Sequence, residues 1–579
     1  MQFTPRFCHK PNLLLLIAVL VTSLFSGLVS AANAPTRADN GMVISASDIA
    51  SEVGKQVLQE GGSAIDAAVA TAFALAVTHP SAGNIGGGGF LVYRPDEGES
   101  ITYDFREVAP AASTPEMWLV DGEYSYQKHH HSYASVGVPG TVAGLYLAWQ
   151  DHGKLPWQQL LAPAIRLASE GIVMTDGLSR SLQRTLPRMQ QYPASVAAFT
   201  NQGKPYEAGD LWQQQDLAAS LQRIADAGPA GFYEGKTAEL LVAEMQAHDG
   251  LITMADLANY KAKKRQPVTG NYRGYEVISM PPPSSGGTTL IEMLNILEGY
   301  DLQASGFGSA DTLHVMTEAM RRAYADRARF LGDPDFNHDL PTERLLSKTY
   351  ARQLRASIDP QHASESSPEQ FNLLPESPQT THFSVIDTGR NAVSLTYTLE
   401  NSYGSAIVVP GAGFLLNNEM GDFNAGPGLT NSQGLIGTPA NLAQPGKRML
   451  SSMTPTILAK DGELFMVTGT PGGRTIINTV LQTILNVVDH GMNAQAAVDA
   501  GRIHHQWMPD VLNYEGQGFS PDSLKILEAR GHSLNEKDEQ GLAEVIVVRH
   551  EGNGKKLAGK GLLEGGVDRR SPDGGIAAW

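Results

Sequence analysis

Cysteine is nearly absent from this chain, whose 579 residues include only Cys8. One thiol cannot form an internal disulfide, and this one lies in an N-terminal segment with the pattern of a secretory signal. We therefore expect a mature chain without disulfides, zinc thiolates or a cysteine nucleophile. Basic residues are also outnumbered, because 43 lysines and arginines against 60 acidic residues give a formal net charge of −17. This balance argues against binding to nucleic acid or to anionic lipid.

Long apolar runs are missing except at the N-terminus. There, basic residues up to Lys10 precede an apolar run from Leu13 to Val29, which small residues follow. This order predicts a cleaved signal peptide, residues 1–32, and a periplasmic or secreted protein. The alternative is a retained membrane anchor, but Ser23, Ser26 and Gly27 weaken the run. Cleavage after Ala31 or Ala32 fits better than cleavage after Ala34, because Pro35 follows.

The rest of the composition is that of a large globular enzyme. The chain is 42% hydrophobic, contains 60 glycines and is long enough for two domains or one large layered domain. The sequence predicts a capped helix over 47–60 and a buried helix over 64–77. It also predicts an amphipathic helix over 310–331. Four arginines on its polar faces are expected to be solvated or salt-bridged: Arg321, Arg322, Arg327 and Arg329.

A candidate hairpin lies near the C-terminal third of the chain. Residues 380–387 and 391–398 alternate polar and apolar side chains around a turn at Gly389. Folded at that turn, Thr380 faces Thr398 and His382 faces Thr396, so small polar side chains share one face. Such a hydroxyl cluster could hold an N-terminal threonine nucleophile. The alternative is an ordinary amphipathic hairpin.

The segment before this hairpin, residues 357–378, differs in composition from its surroundings. It is rich in Ser, Glu and Pro and poor in apolar residues. This pattern indicates an exposed, mobile segment. Such a segment would suit cleavage of the chain between Gln379 and Thr380.

Further along, two strands over 454–459 and 463–469 flank a turn and lead to Gly472-Gly473 and a helix. Backbone N–H groups at a helix start could stabilise an oxyanion, although Pro-Gly-Gly is also common as a simple helix-entry loop. Strands with helices outside them suggest a layered αββα architecture. The run Lys128-His129-His130-His131 is expected to be exposed, because it stands in a polar segment. No metal site and no cofactor are expected.

The sequence resembles the gamma-glutamyltranspeptidases, which are N-terminal nucleophile hydrolases that cut their own precursor. Thr380-Thr381-His382 and Thr396-Tyr397-Thr398 resemble the start of the family's small subunit. Other family motifs recur in order along the chain: Thr78-His79-Pro80, 83–90, Asp104-Phe105-Arg106-Glu107, 137–141, 280–287, 331–335, 416–420, 450–453 and Pro471-Gly472-Gly473.

The resemblance implies an α+β fold, the N-terminal nucleophile hydrolase αββα four-layer sandwich, formed by two subunits cut from one precursor. The large subunit would be residues 33–379 and the small, catalytic subunit residues 380–579. Thr380 would be the nucleophile, assisted by Thr398, and its new α-amine would serve as base. Gly472 and Gly473 would be the oxyanion donors.

The resemblance also implies a pocket for the α-carboxylate and α-ammonium of a glutamyl group. Arg106, Ser451 and Ser452 correspond to carboxylate ligands of the family, and Asp422 and Glu419 to its acidic side. Without the surrounding motif, a single arginine such as Arg106 would be expected only to form a salt bridge at the protein surface. Three positions depart from the family pattern. Glu400, expected to bind substrate, stands where many members carry Asn, Gly421 replaces an Asp, and Gln433 stands where some bacterial members carry a lid tyrosine.

These features predict a self-processing transferase and hydrolase. It would cleave the gamma-glutamyl bond of glutathione and related amides through a Thr380 acyl-enzyme, and pass glutamyl to water, amino acids or peptides. The partners expected are these small molecules and the two subunits, with no nucleic acid, and no membrane after signal cleavage. The alternative within enzymes is a cephalosporin-acylase-like or poly-gamma-glutamate hydrolase. A different class would be an uncut binding protein with a dead site.

Overall fold

The computed structural model describes residues 33–367, 380–429, 437–552, 555–556 and 559–579, without the side chains of 551–558. The chain divides into two units, Met1–Ala34 and Pro35–Trp579. The predicted signal, residues 1–32, and the positions of Gln379 and Gln433 lie outside the described residues. Within the described ranges, no helix is both long enough and apolar enough to cross a membrane.

Two seven-stranded antiparallel sheets form the centre of the second unit. Sheet 1 has, in spatial order, β11 (Lys263–Arg265), β4 (Ile101–Asp104), β3 (Gly88–Arg94), β15 (Ala392–Thr398), β14 (Thr381–Ile386), β2 (Met42–Ser45) and β25 (Gly575–Ala578). Sheet 2 has β1 (Thr36–Ala38), β24 (Leu562–Val567), β21 (Glu544–Arg549), β17 (Glu463–Gly469), β16 (Thr456–Lys460), β13 (Tyr275–Ser279) and β12 (Val268–Tyr272). Both sheets combine strands from before and after residue 380, so the two predicted subunits share one compact unit.

The β14–β15 hairpin has the predicted register, with His382 opposite Thr396 and Ser384 opposite Ser394. Both faces of the hairpin are buried. Its apolar face packs under helices, whereas its polar face lies between the sheets. There, Ser394 Oγ donates to the Thr468 carbonyl of β17 at 3.0 Å and accepts from the Thr456 N–H of β16 at 3.0 Å. The polar side chains are therefore used to join the two sheets.

Helices α1 (Asp48–Gln59) and α2 (Ala64–Thr78) cover the outer face of sheet 1. The Ser47 side chain caps α1, and Ser63 forms a capping box with Asp66 at the start of α2. Every residue of α2 is buried, as its alanine-rich sequence predicts. The two helices approach closely at Gly54, where a Cβ would stand 2.3 Å from Thr71 Oγ1.

Helices on the far side cover sheet 2, chiefly α12 (Gly286–Leu297), α14 (Ala310–Phe330) and α17 (Thr475–Val488). The order helix, sheet, sheet, helix confirms the predicted four-layer αββα fold. Arg321 and Arg322 of α14 form ion pairs with Glu318, as predicted, and Arg329 is exposed. Arg327 is not on a solvated face: it is buried and bonds to serine hydroxyls, because most of α14 is enclosed.

The remaining elements surround these layers. The other helices are α3 (Tyr126–His130), α4 (Thr141–His152), α5 (Trp157–Glu170), α6 (Asp176–Met189), α7 (Pro193–Phe199), α8 (Gln215–Ala227), α9 (Ala230–Tyr233), α10 (Gly235–Ala247), α11 (Met254–Asn259), α13 (Leu302–Ser305), α15 (Thr342–Leu345), α16 (Lys348–Ala356), α18 (Ala494–Asp499) and α19 (Pro521–Ala529). Short strands are β5 (Leu119–Val120), β6 (Glu123–Tyr124), β7 (Ile172–Val173), β8 (Thr200–Asn201), β9 (Lys204–Pro205), β10 (Leu211–Trp212), β18 (Ile503–His504), β19 (Leu512–Glu515), β20 (Leu534–Lys537), β22 (Glu551–Gly552) and β23 (Lys555–Lys556).

Candidate active site

A small cavity lies at the end of the hairpin where β14 begins and β15 ends. Its lining contains most of the residues predicted from the sequence: Arg106, Thr380, Thr398, Glu400, Glu419, Asp422, Ser451, Ser452 and Gly473, together with Met453 and Ile476. Gly472 lines a larger groove next to it, and Thr380 borders both spaces. The fold therefore brings together residues that are far apart in the chain.

Thr380 and Thr398 are both buried, with 7% and 3% of their surface exposed. Thr398 is held from three sides. Its Oγ1 accepts the Glu400 N–H at 2.8 Å, and its carbonyl accepts from Asn84 Nδ2 at 2.9 Å. A Cβ at Gly87 would stand 2.0 Å from the same carbonyl, so glycine is needed for this close approach. Because the Thr398 hydroxyl accepts from the backbone, its own hydrogen can be donated to a neighbour in the cavity.

The pair Gly472-Gly473 leads into α17, which begins at Thr475, as the sequence predicts. Both glycines have positive φ, 137° and 57°, a conformation that favours glycine. Among the described residues, neither amide N–H has a protein acceptor. Two such donors next to a helix start form a concave site where negative charge is stabilised.

Arg106 lines the cavity, is fully buried and forms ion pairs with Asp422 and Glu419. Its Nε donates to the Met449 carbonyl at 3.3 Å, and its own carbonyl accepts from the Tyr260 hydroxyl at 2.9 Å. The guanidinium is thus fixed within the protein and is not a surface salt bridge. Three carboxylates share its positive charge, because Glu107 Oε2 also lies 3.6 Å from the guanidinium.

The acidic groups around Arg106 are strongly perturbed. Burial raises the pKa of Glu107 to about 8, although Arg106 opposes the shift. Burial also raises the pKa of Glu419 well above its usual value, against Arg106 and with help from the charges of Glu107 and Glu400. Burial alone would lower the pKa of Arg106, but Glu419, Asp422 and Glu107 raise it overall. The site therefore concentrates carboxyl groups around one permanent cation.

Ser451 and Ser452 lie on a segment held by the residues that open α12. The Ser451 carbonyl accepts from the Ser285 N–H at 2.8 Å and from Ser285 Oγ at 2.6 Å. Arg327 donates to Ser285 Oγ and to Ser452 Oγ, both at 2.8 Å. Sequence reasoning missed this contribution of Arg327. The spacing of Arg327 from the apolar residues of α14 places it on the buried face of the helix, and this was the available signal. The presence of four arginines in one helix suggested solvent exposure instead.

The prediction that the histidine run is exposed is wrong. His129 is fully buried and His130 is 4% exposed, because α3 packs against the turn Glu419–Asp422. His130 Nδ1 lies 3.0 Å from Glu400 Oε1 at the edge of the cavity. Within the described ranges, no group of His, Cys, Asp and Glu side chains is arranged to hold a metal ion.

Several known proteins are similar to this chain. A family model for gamma-glutamyltranspeptidase matches residues 50–578. The chain is 47% identical over 546 residues to the glutathione hydrolase proenzyme of Escherichia coli (strain K12), covering 93% of this chain and 92% of that protein.

Two solved structures are similar. The Helicobacter pylori gamma-glutamyltranspeptidase is 46% identical with a TM-score of 0.54, covering 55% of this chain and 91% of that chain. A cephalosporin acylase from Bacillus halodurans is 28% identical with a TM-score of 0.82, covering 100% and 99% of the two chains. With the family model spanning nearly all of residues 35–579, this chain belongs to the gamma-glutamyltranspeptidase family.

Proposed function

We propose that this protein is a self-processing glutathione hydrolase and gamma-glutamyltransferase with Thr380 as its nucleophile. One observation carries the proposal. A single cavity brings Thr380 together with a hydroxyl partner, a backbone donor, a buried arginine, two serines and several carboxyl groups. Thr398 and Gly473 act at the carbonyl group that reacts, and the charged groups bind the glutamyl part of the substrate.

Processing creates the catalytic base. Cleavage of the Gln379–Thr380 peptide bond gives Thr380 a free α-amine, whose ordinary pKa is about 7.7–8.0. This amine accepts the proton of the Thr380 hydroxyl as its oxygen attacks the gamma-carbonyl of the substrate. The amides of Gly472 and Gly473 stabilise the resulting oxyanion. The proton passes to the leaving amine, and an acyl-enzyme remains. Water or an amino group then attacks the ester and releases the glutamyl unit.

The charges in the cavity suit a glutamyl group. Arg106 and the hydroxyls of Ser451 and Ser452 bind the α-carboxylate. Asp422, Glu419 and Glu400 form an acidic side for the α-ammonium. One guanidinium, that of Arg106, already faces both Glu419 and Asp422. A glutaryl group has no ammonium and would add no further positive charge to this acidic side. This acidic side favours gamma-glutamyl substrates over the acylase alternative, and the higher identity to the E. coli glutathione hydrolase proenzyme also supports it.

The chain before Thr380 and the chain after it are proposed to remain together as a large and a small subunit after cleavage. Strands of both contribute to both sheets, so cleavage leaves the core intact. The acceptors are water, amino acids and peptides, and the location is periplasmic or secreted, as the N-terminal signal pattern indicates.

The test is to purify the natural protein, Thr380→Ala and Thr381→Val, and to follow both chain cleavage and glutamate release from glutathione. We expect the natural protein to separate into two chains, the smaller one starting at Thr380, and to release glutamate. Thr380→Ala should remain one inactive chain. Thr381→Val is the matched control and should be cut normally, because the buried Thr381 hydroxyl has no hydrogen-bond partner among the described residues.

A natural protein that stays uncut and inactive would support the binding-protein alternative. A new N-terminus other than Thr380 would exclude Thr380 as the nucleophile. A natural protein that prefers glutaryl amides to gamma-glutamyl amides would support the acylase alternative.

A further inference from the structure

Gly421 lies beside the cavity, in the short 3-10 turn Glu419–Asp422. A Cβ at this position would stand 2.4 Å from His130 Nδ1 and 2.9 Å from Glu400 Oε1. The φ of Gly421 is not in the left-handed region, so its backbone could accept a side chain. Only the space taken by His130 and Glu400 excludes one. The two departures from the family pattern, at 400 and 421, are therefore linked through His130.

The His130 ring is held firmly in this position. It stacks on Tyr126, with centroids 4.4 Å apart, and leans against His129 at 4.5 Å. His129 in turn stacks on Trp118 at 4.3 Å, and its Nε2 lies 3.0 Å from the Met420 carbonyl. This stack ties α3 to the turn that contains Gly421. The ring is thus placed by packing, independently of its bond to Glu400.

The Glu400 carboxylate is held from two directions. Oε1 faces His130 Nδ1 at 3.0 Å, and Oε2 accepts from Asn401 Nδ2 at 3.1 Å and from Asn418 Nδ2. Asn418 Nδ2 also donates to the His130 carbonyl at 3.1 Å, so one amide joins both partners. The carboxylate borders the cavity beside Asp422. His130, Asn401 and Asn418 together orient it there.

We propose that His130 is a specificity-determining positioning residue, which aims the Glu400 carboxylate at the α-ammonium of a gamma-glutamyl substrate and fills the space that Gly421 leaves. This inference rests on the proposed function and adds a residue to it. Compared with the family pattern, this chain gains a carboxylate at position 400 and lacks the one at position 421. The His130 ring occupies the space that a side chain at position 421 would take. Residue 421 must then be glycine, because any side chain there would clash with the His130 ring.

The first test is a double-variant cycle with Gly421→Ala, His130→Ala and both together, assayed with a gamma-glutamyl p-nitroanilide. Each single variant should raise KM roughly tenfold, the scale of one hydrogen bond to a charged group, with kcat changed little. The double variant should be no worse than His130→Ala alone, because removing the ring makes room for the new methyl group. If the two effects multiply in the double variant, the proposed link between these residues is wrong.

The second test separates ammonium recognition from a general structural role. We expect His130→Ala to lose roughly tenfold in kcat/KM on the gamma-glutamyl amide and to keep its value on the matching glutaryl amide, which lacks the ammonium. His130→Asn should recover much of the loss, because its Nδ2 can donate near the position of Nδ1. Gln127→Ala, an exposed change in the same helix, is the matched control and should affect neither substrate.

Equal losses on both amides, or no rescue by asparagine, would overturn the role of His130. A natural protein that cleaves the glutaryl amide but not the gamma-glutamyl amide would instead refute the proposed function. Chain cleavage on a gel and the melting temperature of each variant show whether a loss of activity comes from failed folding. The two kinds of failure are thus distinguishable.

Discussion

Replacing Arg106 by lysine should weaken gamma-glutamyl substrates specifically. The arginine is fully buried, and its two terminal nitrogens meet Glu419 and Asp422 separately, while Nε donates to the Met449 carbonyl. Removing the charge altogether would leave buried carboxylates unpaired, which typically costs about 3–5 kcal/mol and risks unfolding. Lysine keeps the charge but has a single nitrogen, so it cannot reproduce the fork.

The size of the effect follows from the hydrogen bond that lysine cannot make. An ammonium group in this position can meet one carboxylate well and the substrate carboxylate poorly. Losing one charge-assisted hydrogen bond costs about 1.5–3 kcal/mol, or roughly 10- to 150-fold in kcat/KM. We expect most of the loss in KM, because the proposed bond to the α-carboxylate would form in the ground state and the transition state alike.

The assay is kcat/KM on a gamma-glutamyl p-nitroanilide, with chain cleavage and melting temperature measured on the same preparations. Arg448→Lys is the matched control. Arg448 is nearly as buried and pairs with Asp104 at 3.2 Å, but it does not line the cavity, so its KM should be unchanged. A folded, processed Arg106→Lys protein with the natural KM would refute the assignment of Arg106 to the substrate carboxylate.

Three further changes have distinct expected results. Arg327→Met should raise KM roughly tenfold through loss of its bond to Ser452, whereas Arg322→Met in the same helix should not, as steady-state kinetics will show. Burial raises the pKa of Glu107 to about 8, so the folded state binds the extra proton and stability should fall as pH rises from about 4.5 to 8. Denaturant melts of Glu107→Gln should show a weaker decline over that window, and an equal decline would contradict the shift. Burial lowers the pKa of His382 to about 3, so stability should fall as pH drops from about 6.5 towards 3, and melts of His382→Gln should flatten that loss.

Several parts of the site could be predicted from the sequence because they depend on local periodicity. The alternation of side chains around Gly389 determines the hairpin register, and hence the placement of Thr380 opposite the end of β15. Gly472-Gly473 before an apolar helical pattern predicts a helix start there, as observed, and among the described residues both glycine amides lack an acceptor. Serine caps likewise mark the starts of α1 and α2. In each case, the interacting residues are close in sequence or joined by one tight turn.

Other features could not be predicted because they depend on what packs against a segment from elsewhere in the chain. His130 and Glu400 are 270 positions apart, and Arg327 and Ser452 are 125 apart. A polar histidine run and a helix with four arginines both indicate solvent exposure when only neighbours are considered. Burial reverses that expectation, because an enclosed polar group must find a partner, and the fold supplies it.

The sequence by itself determined the layered fold, the strand that follows the proposed nucleophile Thr380, and the chemical types present at the site. The tertiary structure alone decided which charges meet. It paired Arg106 with three carboxylates and placed the His130 ring where residue 421 has no side chain. The physical reason is that secondary structure follows from periodicity along one segment, whereas the space and electrostatics of the cavity arise where several distant segments pack together.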